Sequence, residues 1–488
     1  MLLDFNSIAR TFNVEPKGVF HVGAHHGQEM DLYDSMGIKN VVMFEPSSLN
    51  FKVLQTNVGS KAFLVNKALG SKVESAKLRI EKNNEGMSNS LLDPSLHLKQ
   101  YPHITFQDFE EVEVVTLDSW CSDNHSRANC NMMSIDVQGF ELEVLMGAKQ
   151  TLKNIEMIVC EVNRDELYKD CAQVIEIDTF LRYHGFRRVM TNWEGVTWGD
   201  ACYIKEEKIK EIGARMPTLS LVDRNFSHSK DVLGFDSSCL LPTSRFDWSR
   251  TISNNEDLIV FVDADIERVD EFQSKHKIAW LIEPREVNPA LADKAVVLAD
   301  KFDVVITHDK TLISKIKNGK FAPIGGTWIS PDDWGIHDKQ KKVSIIASKK
   351  AYASGHSLRH LAANLIPESD RFGGAYKPIE KKIEALSDYK FSIVIENCRQ
   401  PGFFTEKLVD SLIMGTVPIY WGCPDIGEFF DAKGIITFEN IDELSRILES
   451  DLDEFYSINK EAIESNFKRA RRFASCDDVM FNVITGVN

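Results

Sequence analysis

Two groups of residues in this sequence combine types and spacings suited to chemistry. The first begins at VFHVGAHHGQ, residues 19–28, where an apolar run meets Gly23 and Gly27 just ahead of a helical pattern. Glycines there let the backbone turn sharply and approach a ligand, while a helix start offers free amide donors. The next apolar run ends at Glu45 in MFEP, where a carboxylate can accept from both hydroxyls of a ribose. A third run ends at Asp136 and turns through Gly139 into ELEVLMGA, whose apolar face carries Leu142, Leu145 and Met146. This third element and the glycine spacing separate the pattern from a dinucleotide fingerprint. Singly, each piece also reads blandly: a tight strand-to-helix turn, a solvated strand end, a helix cap.

The second group lies in KFSIVIENCRQPGFFTEKLVDSLIMGTVPIYWG, residues 390–422. An apolar strand delivers Glu396 and Asn397 to a loop, Pro401 and Gly402 turn it, and Thr405 is placed to cap a helix faced by Leu408, Leu412 and Ile413. Lys407 in the first turn of that helix opposes the helix dipole, which hints at an anion sharing the site. A nucleoside diphosphate suits the arrangement, with Lys407 toward the phosphates and Glu406 toward the ribose. An ordinary exposed Glu-Lys pair is the competing reading.

These residues need parallel sheets to position them. Short β-branched runs alternate with helical stretches from Gly18 to Lys205, with strands expected at 19–23, 41–46, 62–69, 132–137 and 156–162, closed by FRRVM and ACYIK. The charged stretch KEEKIKEIGAR and Pro217 mark a boundary. Beyond it, strands are expected at 258–263, 277–284 and 303–309, then a Gly/Trp/Pro/Asp-rich hinge at GGTWISPDDWGIHDK, then a second α/β set from KVSIIAS to GIITF. The expected domains are 1–205, a linker at 206–217, a lobe at 218–335 and a second lobe at 336–488.

The blocks HVGAHHGQ, MFEPS, NKALG, VVTLDSW and IDVQGFELEVLMGA make residues 18–204 resemble the FkbM family of S-adenosylmethionine-dependent O-methyltransferases. The resemblance implies a Rossmann-like methyltransferase fold. It implies S-adenosylmethionine contacts at Gly23, His25, Gly27, Gln28 and Glu45, with Asp118 and Asp136 bordering the reaction cleft. Transfer to a hydroxyl needs alignment and removal of a proton, so Asp136 is the expected base and His25 the second choice. Members of the family more often carry Asp, Asn and Glu where this chain has His21, His25 and Gln138.

Residues 388–425 resemble the alpha-1,3-fucosyltransferase family, through EN, PGFFTEK and GTVPIYWG, and the likeness continues more faintly from about 258. It implies two facing Rossmann-like lobes (GT-B-like) and inverting transfer from GDP-fucose or a related GDP-sugar. Asn397, Glu406 and Lys407 become donor contacts. Arg359, in SLRHLAANL after Ser348, resembles the family's phosphate-binding Arg, and its planar fork suits a diphosphate. AWLIEPREVNP resembles the segment that places a carboxylate at the cleft, so Glu283 is the expected base, with Glu286 behind it. Cys398 stands where a Ser is usual. Trp280, Trp328 and Trp334 are offered as stacking surfaces for a sugar or as core.

Composition narrows the partners. The 488 residues carry 57 Lys and Arg against 73 Asp and Glu, a formal net charge of −16, which disfavours nucleic acid. The nine cysteines, Cys121, Cys130, Cys160, Cys171, Cys202, Cys239, Cys398, Cys423 and Cys476, are scattered without a CxxC pair and read as reduced, mostly buried thiols of a cytoplasmic protein. No signal peptide or membrane span is expected. Neither His25 with His26 nor His356 with His360 has the acidic company of a metal site, so no metal is assigned. The expected function is a bifunctional glycan-modifying enzyme, acting on a glycan or a glycosylated small molecule. Its alternatives are an active methyltransferase carrying a non-catalytic glycan-binding module, and a non-catalytic scaffold.

Overall fold

A computed structural model describes residues 3–224, 241, 243–252 and 256–486, so Cys239 lies outside the described residues. The chain divides into two compact units, Met1–Met216 and Pro217–Asn488.

The first unit is built on a seven-stranded sheet. Its strands are β1 (Val19–Val22), β2 (Val41–Phe44), β3 (Phe63–Val65), β7 (Met132–Ile135), β8 (Met157–Asn163), β9 (Phe186–Glu194) and β10 (Trp198–Lys205), in the order β3-β2-β1-β7-β8-β10-β9. The first five run parallel, while β10 is antiparallel to β8 and β9 to β10. β1, β2, β7 and β8 are buried along their whole length, as continuous Val/Ile/Met runs covered on both faces require. The order reverses between β1 and β7, which opens a crevice beyond their carboxyl ends.

Residues 62–69 were expected as one strand. The chain instead breaks at Asn66–Lys67: β3 joins the large sheet, and β4 (Ala68–Leu69) joins β5 (Glu74–Glu81) and β6 (Phe106–Val115) in a separate three-stranded sheet. β5 and β6 were absent from the sequence reading. They are rich in charge and bury few of their residues, so they carry little of the apolar signal by which a strand is recognised.

The second unit holds two all-parallel sheets. One comprises β11 (Thr218–Val222), β12 (Asp247–Ser249), β13 (Glu256–Val262), β14 (Ser274–Leu281), β15 (Val304–Thr307) and β16 (Gly319–Phe321), in the order β12-β11-β13-β14-β15-β16. The other comprises β17 (Lys341–Ile346), β18 (Arg371–Phe372), β19 (Tyr389–Ile395), β20 (Val417–Trp421) and β21 (Ile436–Thr437), in the order β18-β17-β19-β20-β21. Here the reversal falls between β17 and β19. No helix among the described residues is long and apolar enough to cross a membrane.

The lobes are stitched together. The final helix, Cys476–Thr485, returns to the first lobe: Cys476 and Met480 share a core with Trp248 and Trp280, and Trp248 Nε1 donates to Asp477 at 2.8 Å. The last residues therefore complete the 218–335 lobe, not the 336–488 lobe in which the sequence reading placed them. The expected hinge is pinned as well. Buried Asp410 accepts from Thr327 Oγ1 and Trp328 N, both at 2.7 Å, and from Lys382 Nζ at 2.6 Å.

Removing one partner from a buried ion pair strands the other charge, at a cost of roughly 3–5 kcal/mol. Asp410→Ala should therefore lower hydrogen-exchange protection across residues 217–488 and leave residues 1–216 unchanged. Equal protection in both proteins would show that Glu406, 3.9 Å from Lys382, suffices as its partner.

Candidate active sites

The crevice of the first unit is a cavity of about 670 Å³. Gly23, Ala24 and His25 line it from the end of β1, Glu45 and Pro46 from the end of β2, and Asp136, Val137 and Gln138 from the end of β7. Gly23 has φ +81, and a Cβ there would lie 1.8 Å from the Asp136 carbonyl oxygen. Glycine is thus required for the chain leaving β1 to pass this close to the chain leaving β7.

Glu45 is buried, and its two oxygens accept from His25 N and Ser47 N, each at 2.9 Å. Burial raises its pKa to about 7 against those two amide bonds, with Glu110 and Asp136 pushing the same way as burial. A carboxylate accepts about four hydrogen bonds, so each oxygen keeps capacity for a ligand hydroxyl.

Asp136 is exposed at the wall of the cavity. Burial pushes its carboxyl up, and the hydrogen bond from Gln138 Nε2 at 2.8 Å opposes that shift. The cavity continues past Asp136 to Tyr101, Trp198 and His97, where Trp198 Nε1 donates to Tyr101 Oη at 2.8 Å. This aromatic wall was not found in the sequence, because its members come from a loop and from β10, far from any motif.

Two expectations need correction. His25 lines the cavity, but its ring is occupied: Nε2 meets the Glu85 carbonyl at 2.8 Å and Nδ1 meets Gln28 Nε2 at 2.8 Å. His25 also stacks on His26 at 3.7 Å between centroids. It ties the glycine loop to the turn around Glu85, a positioning task that leaves no nitrogen for a substrate proton. Asp118 does not border the cavity. Its carboxylate accepts from Gln150 N, Thr151 N and Thr151 Oγ1 at 2.7–2.9 Å, capping the turn Thr151–Lys153. Gly27, at φ +80, faces Leu54 and Val58 and serves the packing of the helix Ser48–Val58.

In the second unit the reversal between β17 and β19 assembles the other group. The helix Ser354–Ala363 starts against the end of β19, where Gly355 N donates to the Asn397 carbonyl at 3.0 Å and a Cβ at 355 would meet the Glu396 carbonyl at 1.8 Å. Arg359, one turn on, is buried and donates from Nε to the Ile395 carbonyl at 2.8 Å and from Nη2 to Asn397 Oδ1 at 2.9 Å. Glu396 is fully buried and accepts from Thr405 N and Thr405 Oγ1. Thr405 also caps the helix Glu406–Ile413. Lys407 Nζ lies 3.0 Å from Glu406 Oε1 and 3.8 Å from Glu396 Oε2. Burial raises the Glu406 carboxyl, but Lys407 and Lys382 overcome it and hold the pKa at about 2. Lys382, 24 residues before Glu406 in a lysine-rich stretch, carried no signal in the sequence.

Glu283 follows β14, and its backbone N–H is held by buried Asp263. Burial raises the Glu283 carboxyl while Lys350 and Lys407 pull it down, so its charge is felt from the second lobe. Glu286 is engaged elsewhere: its oxygens accept from Ser354 N and Ser354 Oγ across the cleft, which removes it as an understudy base. His356 Nδ1 accepts from Ala353 N and His360 Nδ1 meets Tyr376 Oη, so the two rings serve different neighbours. Among the described residues no group of His, Cys, Asp or Glu is placed to hold a metal ion. Trp280 and Trp334 are buried, whereas Trp328 is partly exposed with Lys382 Nζ 4.5 Å from its ring centroid.

Comparison with known proteins agrees with this division. Residues 21–188 match the methyltransferase FkbM domain, and residues 336–458 match the C-terminal domain of glycosyltransferase family 10 (fucosyltransferase). The 2-O-methyltransferase NoeI of Sinorhizobium fredii is 35% identical over 83 residues, 17% of this chain and 34% of that protein. The alpha-(1,3)-fucosyltransferase FucT of Helicobacter pylori is 40% identical over 68 residues, 13% of this chain and 14% of that protein. The chain thus spans about a third or less of these relatives. A crystal structure of alpha1,3-fucosyltransferase with GDP-fucose is 13% identical, with a TM-score of 0.35 over 64% of this chain and 97% of that one. The chain therefore carries a methyltransferase FkbM domain in its first unit and a glycosyltransferase family 10 (fucosyltransferase) C-terminal domain in its second.

Proposed function

We propose that the chain is a bifunctional glycan-modifying enzyme, with an S-adenosylmethionine-dependent O-methyltransferase over residues 1–205 and an inverting GDP-sugar transferase over lobes 218–335 and 336–488, joined at 206–217. One observation supports both halves: each family domain places its acids at the carboxyl ends of parallel strands where the strand order reverses, the usual ligand crevice of such sheets.

In the first unit, Glu45 holds the ribose of S-adenosylmethionine, and the loop Gly23–Gln28 covers its amino-acid end. When bound, that cofactor supplies a methyl group on a sulfonium, which passes to an acceptor oxygen as the S–C bond breaks and an O–C bond forms. Asp136 takes the hydroxyl proton of the acceptor. A cavity of about 670 Å³ fits the size of small-ligand sites, and the Tyr101 and Trp198 wall suits the face of a sugar ring.

In the second unit, Arg359 and Lys407 bind the diphosphate of GDP-fucose or a related GDP-sugar, Glu406 accepts from the ribose hydroxyls, and Asn397 orients Arg359. Glu283 removes the proton of the attacking hydroxyl as the glycosyl-phosphate bond breaks with inversion. The pull of Lys350 and Lys407 on Glu283 favours this reading over a glycan-binding module without transfer. Such a module has no use for a carboxylate facing two cations.

Lys407→Ala removes a charge-assisted contact of about 1.5–3 kcal/mol, so GDP affinity should fall roughly 10- to 100-fold while methylation persists. Calorimetry with GDP and mass spectrometry of both transfers, using GDP- and UDP-sugars with S-adenosylmethionine, check this. Glu45→Ala should do the reverse, and loss of both activities in either variant would refute independent sites.

The raised Glu45 pKa gives a second expectation. Ribose hydroxyls donate to the ionised carboxylate, so S-adenosylhomocysteine should bind more tightly as pH rises through about 7 and release a proton on binding. Below that pH, affinity should fall toward tenfold per unit. Calorimetry in buffers of different ionisation enthalpy measures this, and Glu45→Gln should abolish the dependence.

A further inference from the structure

Gln138 stands two residues beyond Asp136 in left-handed backbone, φ +55, followed by Gly139 at φ +98. The buried carboxylate of Glu141 fixes this turn by accepting from Val137 N at 3.2 Å and Gly139 N at 2.9 Å. The turn delivers the Gln138 amide into a gap between two acids. Nε2 donates to Asp136 Oδ1 at 2.8 Å and to Glu161 Oε2 at 3.0 Å, while Oε1 accepts from the Tyr168 hydroxyl at 2.8 Å. Every hydrogen of the amide is used. The orientation is forced, because the turned-over amide would set its oxygen against two carboxylates and its hydrogens against a donor hydroxyl.

Asp136, just past β7, and Glu161, within neighbouring β8, repel each other when both are ionised. The other groups facing this pair among the described residues include His21 on β1, Glu29 before the helix Met30–Ser35, Glu45 after β2, Glu141 in the following helix, Cys160 on β8, Tyr168 and Asp200 on β10. Burial and the neighbouring acids raise Glu161 far above the usual carboxylate range. Asp136 is raised too, but the Gln138 hydrogen bond is the largest influence holding it down. An acid at position 138 would instead add a third carboxylate between the two.

We propose that Gln138 is the positioning residue of the methyl-transfer site: its amide keeps the Asp136 carboxylate ionised and aimed into the cavity, while its second hydrogen ties down Glu161. This rests on the reading of Asp136 as the base that deprotonates the acceptor, and it adds the group that sets when that base is available. Tyr168 completes the arrangement by stopping rotation of the amide.

The test follows the Asp136 carboxyl directly, by carbon-13 NMR of the full chain labelled at aspartate, with D136N identifying the signal. Q138L and Q138E should each raise the titration midpoint of Asp136 by about one pH unit or more, and E161Q should lower it. Methyl transfer to p-nitrophenyl α-L-fucoside should show its acid limb moving in the same two directions. S-adenosylhomocysteine calorimetry shows that each variant remains folded. An Asp136 midpoint unchanged in both Gln138 variants overturns the assignment. Full methyl transfer by D136N would instead remove Asp136 as the base, and the two failures are distinct because one is read on the carboxyl and the other on the rate.

Discussion

A buried carboxylate at the end of a parallel strand must find hydrogen-bond donors or a counter-charge, and the organisation of both units follows from that need. Glu45 and Asp136 directly follow β2 and β7 of the seven-stranded sheet, Glu161 stands near the carboxyl end of β8 in the same sheet, and Glu396 directly follows β19 in the second unit. Glu45, Glu161 and Glu396 lie where removal from water would neutralise them without help, while Asp136 opens to the cavity. The help determines the loops. His25 N and Ser47 N converge on Glu45, and Thr405 turns back onto Glu396 before starting a helix. The turn at Gly23 and the close approach of the helix start at Gly355 to the Glu396 carbonyl bring the backbone near these acids.

The two units satisfy their acids in opposite ways. In the first, the donors beside Glu45, Asp136 and Glu161 are neutral amides, which compensate burial only in part, and the carboxyls are raised. In the second, Lys407 and Lys382 stand beside Glu406 and drive it down to about 2. This contrast fits the proposed chemistries. Asp136, proposed to collect a proton, works best with affinity near the working pH, whereas Glu45 and Glu406 are both proposed to face ribose hydroxyls and only Glu406 does so beside cations that keep it ionised.

The candidate residues legible in the sequence were those that stand at a break in apolar pattern. Glu45, Asp136, Asn397 and Glu283 each follow an apolar run, and a run that stops at an acid is visible without a structure. Asp118 misled because an acid just after a Thr at a helix start looks the same whether it faces a cleft or caps a distant turn. Only the fold shows it reaching Thr151. His25 misled because a histidine beside a glycine turn shows nothing of what its ring nitrogens touch. Lys382, Tyr168 and the Tyr101–Trp198 wall left no trace, since they reach their sites from elements whose local pattern is set by other packing. The strands β5 and β6 were invisible for a related reason: a mostly exposed sheet keeps its polar residues and shows little periodic burial.

The return of the last helix to the first lobe shows why local pattern misplaces long-range assembly. Residues 476–485 form an ordinary amphipathic helix, and nothing in that pattern says which core it joins. In the fold, Trp248 Nε1 donates to Asp477, whose burial raises its pKa to about 7, and Ser244 N donates to Asp478 at 3.0 Å. Two buried acids on one helix thus satisfy donors from a segment more than two hundred residues earlier. Apolar contacts with Cys476 and Met480 tolerate sliding, whereas these bonds have direction. The polar pair therefore fixes the helix register on the lobe that carries Glu283, and the C-terminal residues bear on the shape of the cleft although they contribute no side chain to the proposed chemistry.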